Sequence, residues 1–314
     1  MGANGRRPEG PAVTTTLDWY GCSTFRLQTM GITVFLDAYV DRAPGADGTG
    51  LTADDIAECD WIVVGHSHFD HLWGAERIMA NTDARLISSY ESVRILEQAG
   101  VPVDRMICVS GGERVELGAG VSVSAFPSLH SSLWTGSHGT GAGEVCIGEP
   151  RRGLARTGCP DEGARRSAGR HPRPLGHRAP INAASGHSDR GDGGALLYLF
   201  ETPEGSLLFQ DTSGHWGGIL RTLTPDVAIL AAAGRATVDG EPVQGSLADF
   251  VVGEARDLRT RRVVLGHHDN WLPGFAAAID VEPVRAAFEA RAPEVELVEP
   301  TYLAATPIFE GLRD

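Results

Sequence analysis

Residues 17–40, LDWYGCSTFRLQTMGITVFLDAYV, alternate apolar and polar positions on either side of Thr29-Met30-Gly31. A period of two predicts a strand hairpin that runs into a short buried strand, Thr33 to Leu36. DWIVVGH, residues 60–66, is instead continuously apolar up to Gly65-His66, as expected of a central strand covered on both faces. GAERIMA and SYESVRILEQAG have helical spacing, with Gly100 placed to end the second helix. GVSVSAFPSLH alternates again and puts Val121, Val123 and Ala125 on one face. GALLYLFETPEGSLLFQD reads as two strands joined by a Pro-Glu-Gly turn. PDVAILAA and RRVVLGHHD are two further short buried strands, and PVRAAFEAR is a helix. Strands come first, and strands then alternate with helices. That order fits two mixed sheets covered by helices.

Two stretches fall outside this pattern. Residues 1–15 read as a flexible tail, and residues 16–314 as a single domain. Within that domain residues 148 to about 180 crowd Arg, Gly, Pro and Ala together with almost no apolar periodicity, which predicts an irregular segment. A GC-rich gene read one base out of frame and later restored gives this composition. A natural basic insert serving as a lid or as a contact for an acidic partner gives it equally. On either reading His171 and His177 are expected to bind no metal.

A chain of 314 residues has ample length for a core, and 42% hydrophobic with 22% charged residues is ordinary for a soluble protein. No apolar run approaches the roughly 18 to 20 residues of a membrane helix. Arg6-Arg7 is followed by no apolar stretch of a signal peptide, so a cytoplasmic location without membrane attachment is expected. The formal charge of −14 opposes a phosphate-backbone partner, and no nucleic acid is expected. All basic residues are arginine. The cysteines at 22, 59, 108, 146 and 159 are odd in number and widely spaced. They read as buried free thiols and not as a disulfide scaffold or a thiolate zinc site.

The chemistry is concentrated in GHSHFDHLWG, residues 65–74, where His66, His68, Asp70 and His71 fall within six positions directly after a buried strand. Three imidazoles and a carboxylate at this density suit zinc, iron or manganese. On a tight loop the first pair can converge on one ion and the second pair on a neighbour. Further ligand types end other predicted strands: His130 after VSAFPSL, Asp211 after SLLFQ and His267 after VVLG.

HSHFDH matches the HxHxDH motif of the metallo-β-lactamase fold superfamily. The chain resembles its L-ascorbate-6-phosphate lactonase-like hydrolases from about residue 16 to 275, with the arginine-rich segment unmatched. QDTSG is similar to the family's Gly-Asp-Thr-Gly, with Gln210 at the first glycine, and LGHHDNW is similar to its terminal histidine motif. The resemblance implies an α/β fold, an αββα sandwich of two mixed sheets flanked by helices, with two divalent ions at one edge: zinc, or else manganese or iron. It implies His66, His68 and His130 on one ion, Asp70, His71 and His267 on the other, and Asp211 bridging. His267 is expected to be the ligand and His268 to point away. Asp70 would orient the nucleophile and deliver a proton, and Asp37 would hydrogen-bond a ligand imidazole.

The expected activity is hydrolysis of a small-molecule lactone, amide or phosphoester by a metal-activated hydroxide, in a chain free to form a homo-oligomer. A nuclease or phosphodiesterase of the same superfamily, a di-iron oxygen-using enzyme and a non-catalytic metal-binding domain are the alternatives. Ser131, Trp134 and His138 lie in a glycine-rich stretch suited to a substrate loop; Trp134 either stacks on substrate or packs in the core. His215 is expected at the surface or as a cap, and His187 carries no assignment.

Overall fold

The computed structural model describes residues 14–131, 192–273 and 276–312. The first sheet contains β1 (Thr16–Gly21), β2 (Thr24–Thr29), β3 (Ile32–Leu36), β4 (Trp61–Val63), β5 (Arg85–Ser88) and β6 (Met106–Cys108), with the C-terminal β17 (Thr306–Pro307) beside β1. β1 to β3 run antiparallel, and β3 to β6 are parallel. The second sheet is ordered β16-β15-β12-β10-β9-β8-β7. Its strands are β7 (Arg114–Gly118), β8 (Val121–Pro127), β9 (Leu196–Glu201), β10 (Ser206–Gln210), β12 (Val227–Ala231), β15 (Arg262–Gly266) and β16 (Glu296–Val298). A small third sheet joins β11 (Gly214–His215), β13 (Thr237–Val238) and β14 (Glu241–Pro242).

The strands explain why there are four layers. Val34 and Leu36, Val63, Tyr198 and Phe200, Leu207 and Phe209, and Val227 and Ile229 form one core between the two sheets. Their neighbours in sequence point the other way and are equally apolar. Phe35, Ile62 and Leu86 pack under α2 (Ala75–Asn81) and α3 (Tyr90–Gln98) through Ile78, Met79, Ile95 and Leu96. Leu197, Leu208, Ala228, Leu230 and Val263 pack under α5 (Leu247–Leu258) and α6 (Glu282–Arg291) through Val251, Leu258, Val284 and Phe288. Strands apolar on both faces must be covered on both faces, and the result is the αββα sandwich.

Two expectations change. HSHFDH is not loop throughout: Phe69–Leu72 forms a short helix, α1, with His68 at its N-cap. Helix α5 follows a run that the hydrophobic pattern did not flag, although its Ser246–Asp249 capping box is a readable start signal. A further short helix, α4 (Gly217–Leu220), follows β11. Residues 148–180, with His171 and His177, lie outside the described residues, as do His187, Trp134 and His138.

Candidate metal centre

The site forms where several strands end at one edge of the sandwich. β3 delivers Asp37, β4 delivers Gly65 and His66, β8 leads to His130, β10 delivers Asp211 and β15 delivers His267. Open α/β sheets place ligands at such carboxyl ends. Gly65 is required here for a spatial reason: a Cβ would overlap the Asp211 carboxylate, so only glycine lets β10 deliver that group against the end of β4.

His66, His68 and His130 form a near-regular triangle. Each pair of ring centroids is 4.7 Å apart, with interplanar angles of 77–78°. Nδ1 of His130 donates to the Ser131 carbonyl at 2.7 Å, which leaves Nε2 as the nitrogen available to a ligand. Ser131 itself is held by its own N–H on Thr212 Oγ1 at 3.1 Å. His66 Nδ1 lies 2.6 Å from Asp211 Oδ2. His71 Nδ1 lies 2.6 Å from Asp37 Oδ2 and 3.3 Å from Asp211 Oδ2. Asp37 also accepts from Ser23 Oγ at 2.6 Å and from the Gly65 N–H at 3.0 Å. Asp37 is thus the carboxylate that fixes the His71 ring, and Nε2 of that ring lies 3.4 Å from Asp70. His267 Nε2 lies 3.4 Å from the same Asp70 oxygen.

Three groups of candidate donor atoms result, each with all atoms within 4.8 Å of one another: His66–His68–His130, His66–His71–Asp211 and Cys22–Asp70–His267. All seven ligand candidates from the sequence lie in these three groups; the first two share His66, and the 3.4 Å approach of His71 to Asp70 joins the third to them. Cys22 joins them without having been singled out; the only sequence signal for it is its place in the turn after β1. His268 turns away and stacks on Trp19, centroids 4.6 Å apart and planes 8° apart. His215 is neither a surface residue nor a cap. It is buried, with Nδ1 2.6 Å from Glu254, whose carboxylate also accepts from Gln210 Nε2 at 2.8 Å. Gln210 therefore belongs to a buried network behind Asp211.

Electrostatics divide the site. Burial, joined by mutual crowding of the imidazoles, holds His66 and His68 well below the usual histidine value. For His71 burial acts downward, but Asp70, Asp37 and Asp211 outweigh it and hold the ring well above 6.5. Burial also acts upward on Asp70, where His71 and His267 prevail and keep it ionised. Burial pushes Asp37 up to about 6 against the opposing pull of His71. Three buried carboxylates facing five histidines require positive charge from protons or from cations.

A family model described as a beta-lactamase superfamily domain matches residues 33–154. Over 138 residues the chain is 33% identical to a UPF0173 metal-dependent hydrolase of Anaeromyxobacter dehalogenans (strain 2CP-C), covering 43% of this chain and 50% of that protein. The chain spans about half the length of the curated relatives it matches. Among solved structures it superposes on a metallo hydrolase of the archaeon Ignicoccus hospitalis with TM-score 0.59 and 16% identity, covering 92% of this chain and 96% of that one. It also superposes on a diiron β-hydroxylase of Streptomyces venezuelae with TM-score 0.53 and 14% identity, covering 94% of this chain and 54% of that one. The fold is that of the metallo-β-lactamase superfamily. None of these proteins is named an ascorbate-6-phosphate lactonase, so the likeness supports the fold and leaves that branch unconfirmed.

Proposed function

We propose that the chain is a metal-dependent hydrolase with a pair of divalent ions, zinc in the first instance, acting on a small-molecule lactone, amide or phosphoester. The observation that carries this reading is the convergence of His66, His68, Asp70, His71, His130, Asp211 and His267 into three adjacent donor groups at one sheet edge. The residues fit such ions. Oδ1 of Asp211 is buried with no hydrogen-bond partner, the condition of a polar atom that lacks its ligand. His66, His68 and His130 would hold one ion, Asp70, His71 and His267 the other, and Asp211 would face both. The named activity of the relatives supports hydrolysis.

A bound divalent pair supplies Lewis acidity, lowering the pKa of water and polarising a carbonyl or phosphoryl oxygen. The chain supplies the rest. Asp37 and Ser23 fix the His71 ring through Nδ1, and the Ser131 carbonyl does the same for His130. Asp70 stands with one oxygen between the His71 and His267 rings. As an ionised carboxylate at the centre of the site it is the group to accept a proton from the attacking water and to return it to the leaving group. Burial of His66, Asp37 and Asp211 excludes bulk water and strengthens each of these interactions.

Elemental analysis of protein purified without added metal, followed by a panel of lactones, amides and phosphodiesters, tests the reading. About two zinc ions per chain with turnover of one substrate class is the expected result. Stoichiometric iron with substrate-dependent oxygen consumption would replace hydrolysis by oxygen chemistry. Metal-free protein that gains no ion on dialysis against zinc would overturn the metal centre itself.

A further inference from the structure

We infer that Cys22 is a ligand of the second ion, so that this position is a mixed sulfur, carboxylate and imidazole site; the inference rests on the two-metal reading above. The Cys22 thiol is fully buried and lies 3.5 Å from Nε2 of His267, the atom that also faces Asp70 Oδ2 at 3.4 Å. These three donor atoms lie within 4.8 Å of one another. The His267 ring brings a second buried nitrogen, Nδ1, without a partner. A cysteine serving only as a small apolar residue has no need of a carboxylate and an imidazole at its sulfur. Its other neighbours, Tyr39, Phe69 and Trp271, close the remaining sides and keep water from the sulfur.

The backbone places the thiol from both sides. The Cys22 N–H donates to both oxygens of Asp269, at 3.0 and 3.1 Å. Its carbonyl accepts from the His267 N–H at 2.6 Å and from Trp19 Nε1 at 3.0 Å. Cys22 and His267 both have left-handed backbones, φ 52° and φ 60°, an unusual conformation for residues other than glycine. The turn after β1 and the end of β15 are thereby bound together, with the two side chains directed at one point.

Coordination would break the S–H bond, form a metal–sulfur bond and release one proton to solvent, with no electron transferred. A thiolate changes metal preference: sulfur favours zinc over manganese, whereas a site of carboxylate and imidazole alone is less selective. The all-imidazole position lacks this bias, so the two positions would differ in metal choice.

Zinc-edge X-ray absorption of zinc-loaded wild-type protein tests the assignment. A sulfur shell at roughly 2.3 Å is expected beside nitrogen and oxygen at roughly 2.0–2.1 Å, about one sulfur for every two zincs. In cobalt-loaded protein the same ligand gives a thiolate charge-transfer band in the near ultraviolet. Cys22→Ser should abolish both signals. Zinc affinity at one of the two positions should fall by more than the roughly 10- to 100-fold cost of losing an outer hydrogen-bond partner. Metal-loaded wild-type protein without sulfur shell or band overturns the proposal, and so does a sulfur signal that persists in Cys22→Ser. If that variant does not fold, the wild-type spectra still decide. Metal counted on the same samples keeps the two readings apart: two ions without sulfur refute Cys22 alone, whereas a single ion refutes the pair.

Discussion

The two halves of the metal centre are built differently although they share one sheet edge. The first half is three imidazoles in a 4.7 Å triangle, held by the chain around β4 and by the stretch after β8. The second half is a thiol from the turn after β1, a carboxylate from α1 and an imidazole from the end of β15. Behind the second half lies a buried ion pair, Arg42 with Asp269; Asp269 also holds Cys22 N–H and the Tyr302 hydroxyl, the latter at 2.9 Å. Behind the first half, among the described residues, stand the Asp211 carboxylate against His66 and, against His130, the Ser131 carbonyl with Thr212 holding the Ser131 N–H. Two of the first half's histidines, His66 and His68, come from one segment and are placed together by its local geometry. Ligands brought from the two ends of the chain need a rigid clamp between them.

The largest effect should come from breaking the first half outright. His66→Ala combined with His68→Ala is expected to abolish turnover and to remove at least one ion per chain; full metal loading in that double variant would refute the ligand assignment. Next is the clamp behind the second half. Asp269→Ala leaves the Arg42 guanidinium buried without its counter-charge and frees the Cys22 N–H, a loss of about 3–5 kcal/mol in denaturant unfolding. If the clamp serves the second half as argued, the surviving folded protein should retain the first ion and bind the second weakly. Equal loss at both positions would contradict the division.

Gly65→Ala acts on the group that both halves share. Its new Cβ would overlap Asp211, and the expected cost is about 1–3 kcal/mol of stability with weakened binding of both ions. Wild-type metal affinity in this variant would show that Asp211 does not need its present position.

The finest distinction is in pH dependence of the metal-free protein. His71 is held above 6.5 in the folded state, because Asp70, Asp37 and Asp211 outweigh burial. Its contribution to stability is present below pH 6.5 and is lost as pH rises through the folded-state value. His68 is held below 6.5 by burial and by His130 and His66. It costs stability as pH falls below 6.5, since the unfolded chain takes up a proton that the folded chain refuses. His71→Gln should therefore be most damaging in mild acid, and the deficit of His68→Gln should shrink there. Each pKa unit corresponds to about 1.4 kcal/mol, within reach of melting curves recorded on both sides of pH 6.5. Parallel pH slopes in the two variants would remove the electrostatic contrast.

Much of this molecule is written locally in the chain. The period-two alternation of β1 to β3 and the doubly apolar runs of β4, β9, β10, β12 and β15 determine strands that must be covered on one or both faces. The HxHxDH spacing determines a metal-ligand stretch at the end of β4, because residues two and four positions apart on one short segment meet whatever the rest of the chain does. His130, Asp211 and His267 were legible as strand-end ligand types. Their convergence was not legible, since it depends on which strands lie side by side. Tertiary structure alone decided that Gly65 admits Asp211 and that Gln210 and His215 join Glu254 behind the site. It also decided the place of Cys22. Nothing near residue 22 marks it as a ligand, because its partners Asp70, His267 and Asp269 lie 48, 245 and 247 positions along the chain. Local patterning encodes burial and segment geometry, whereas a donor group assembled from distant segments exists only once the sheets have packed.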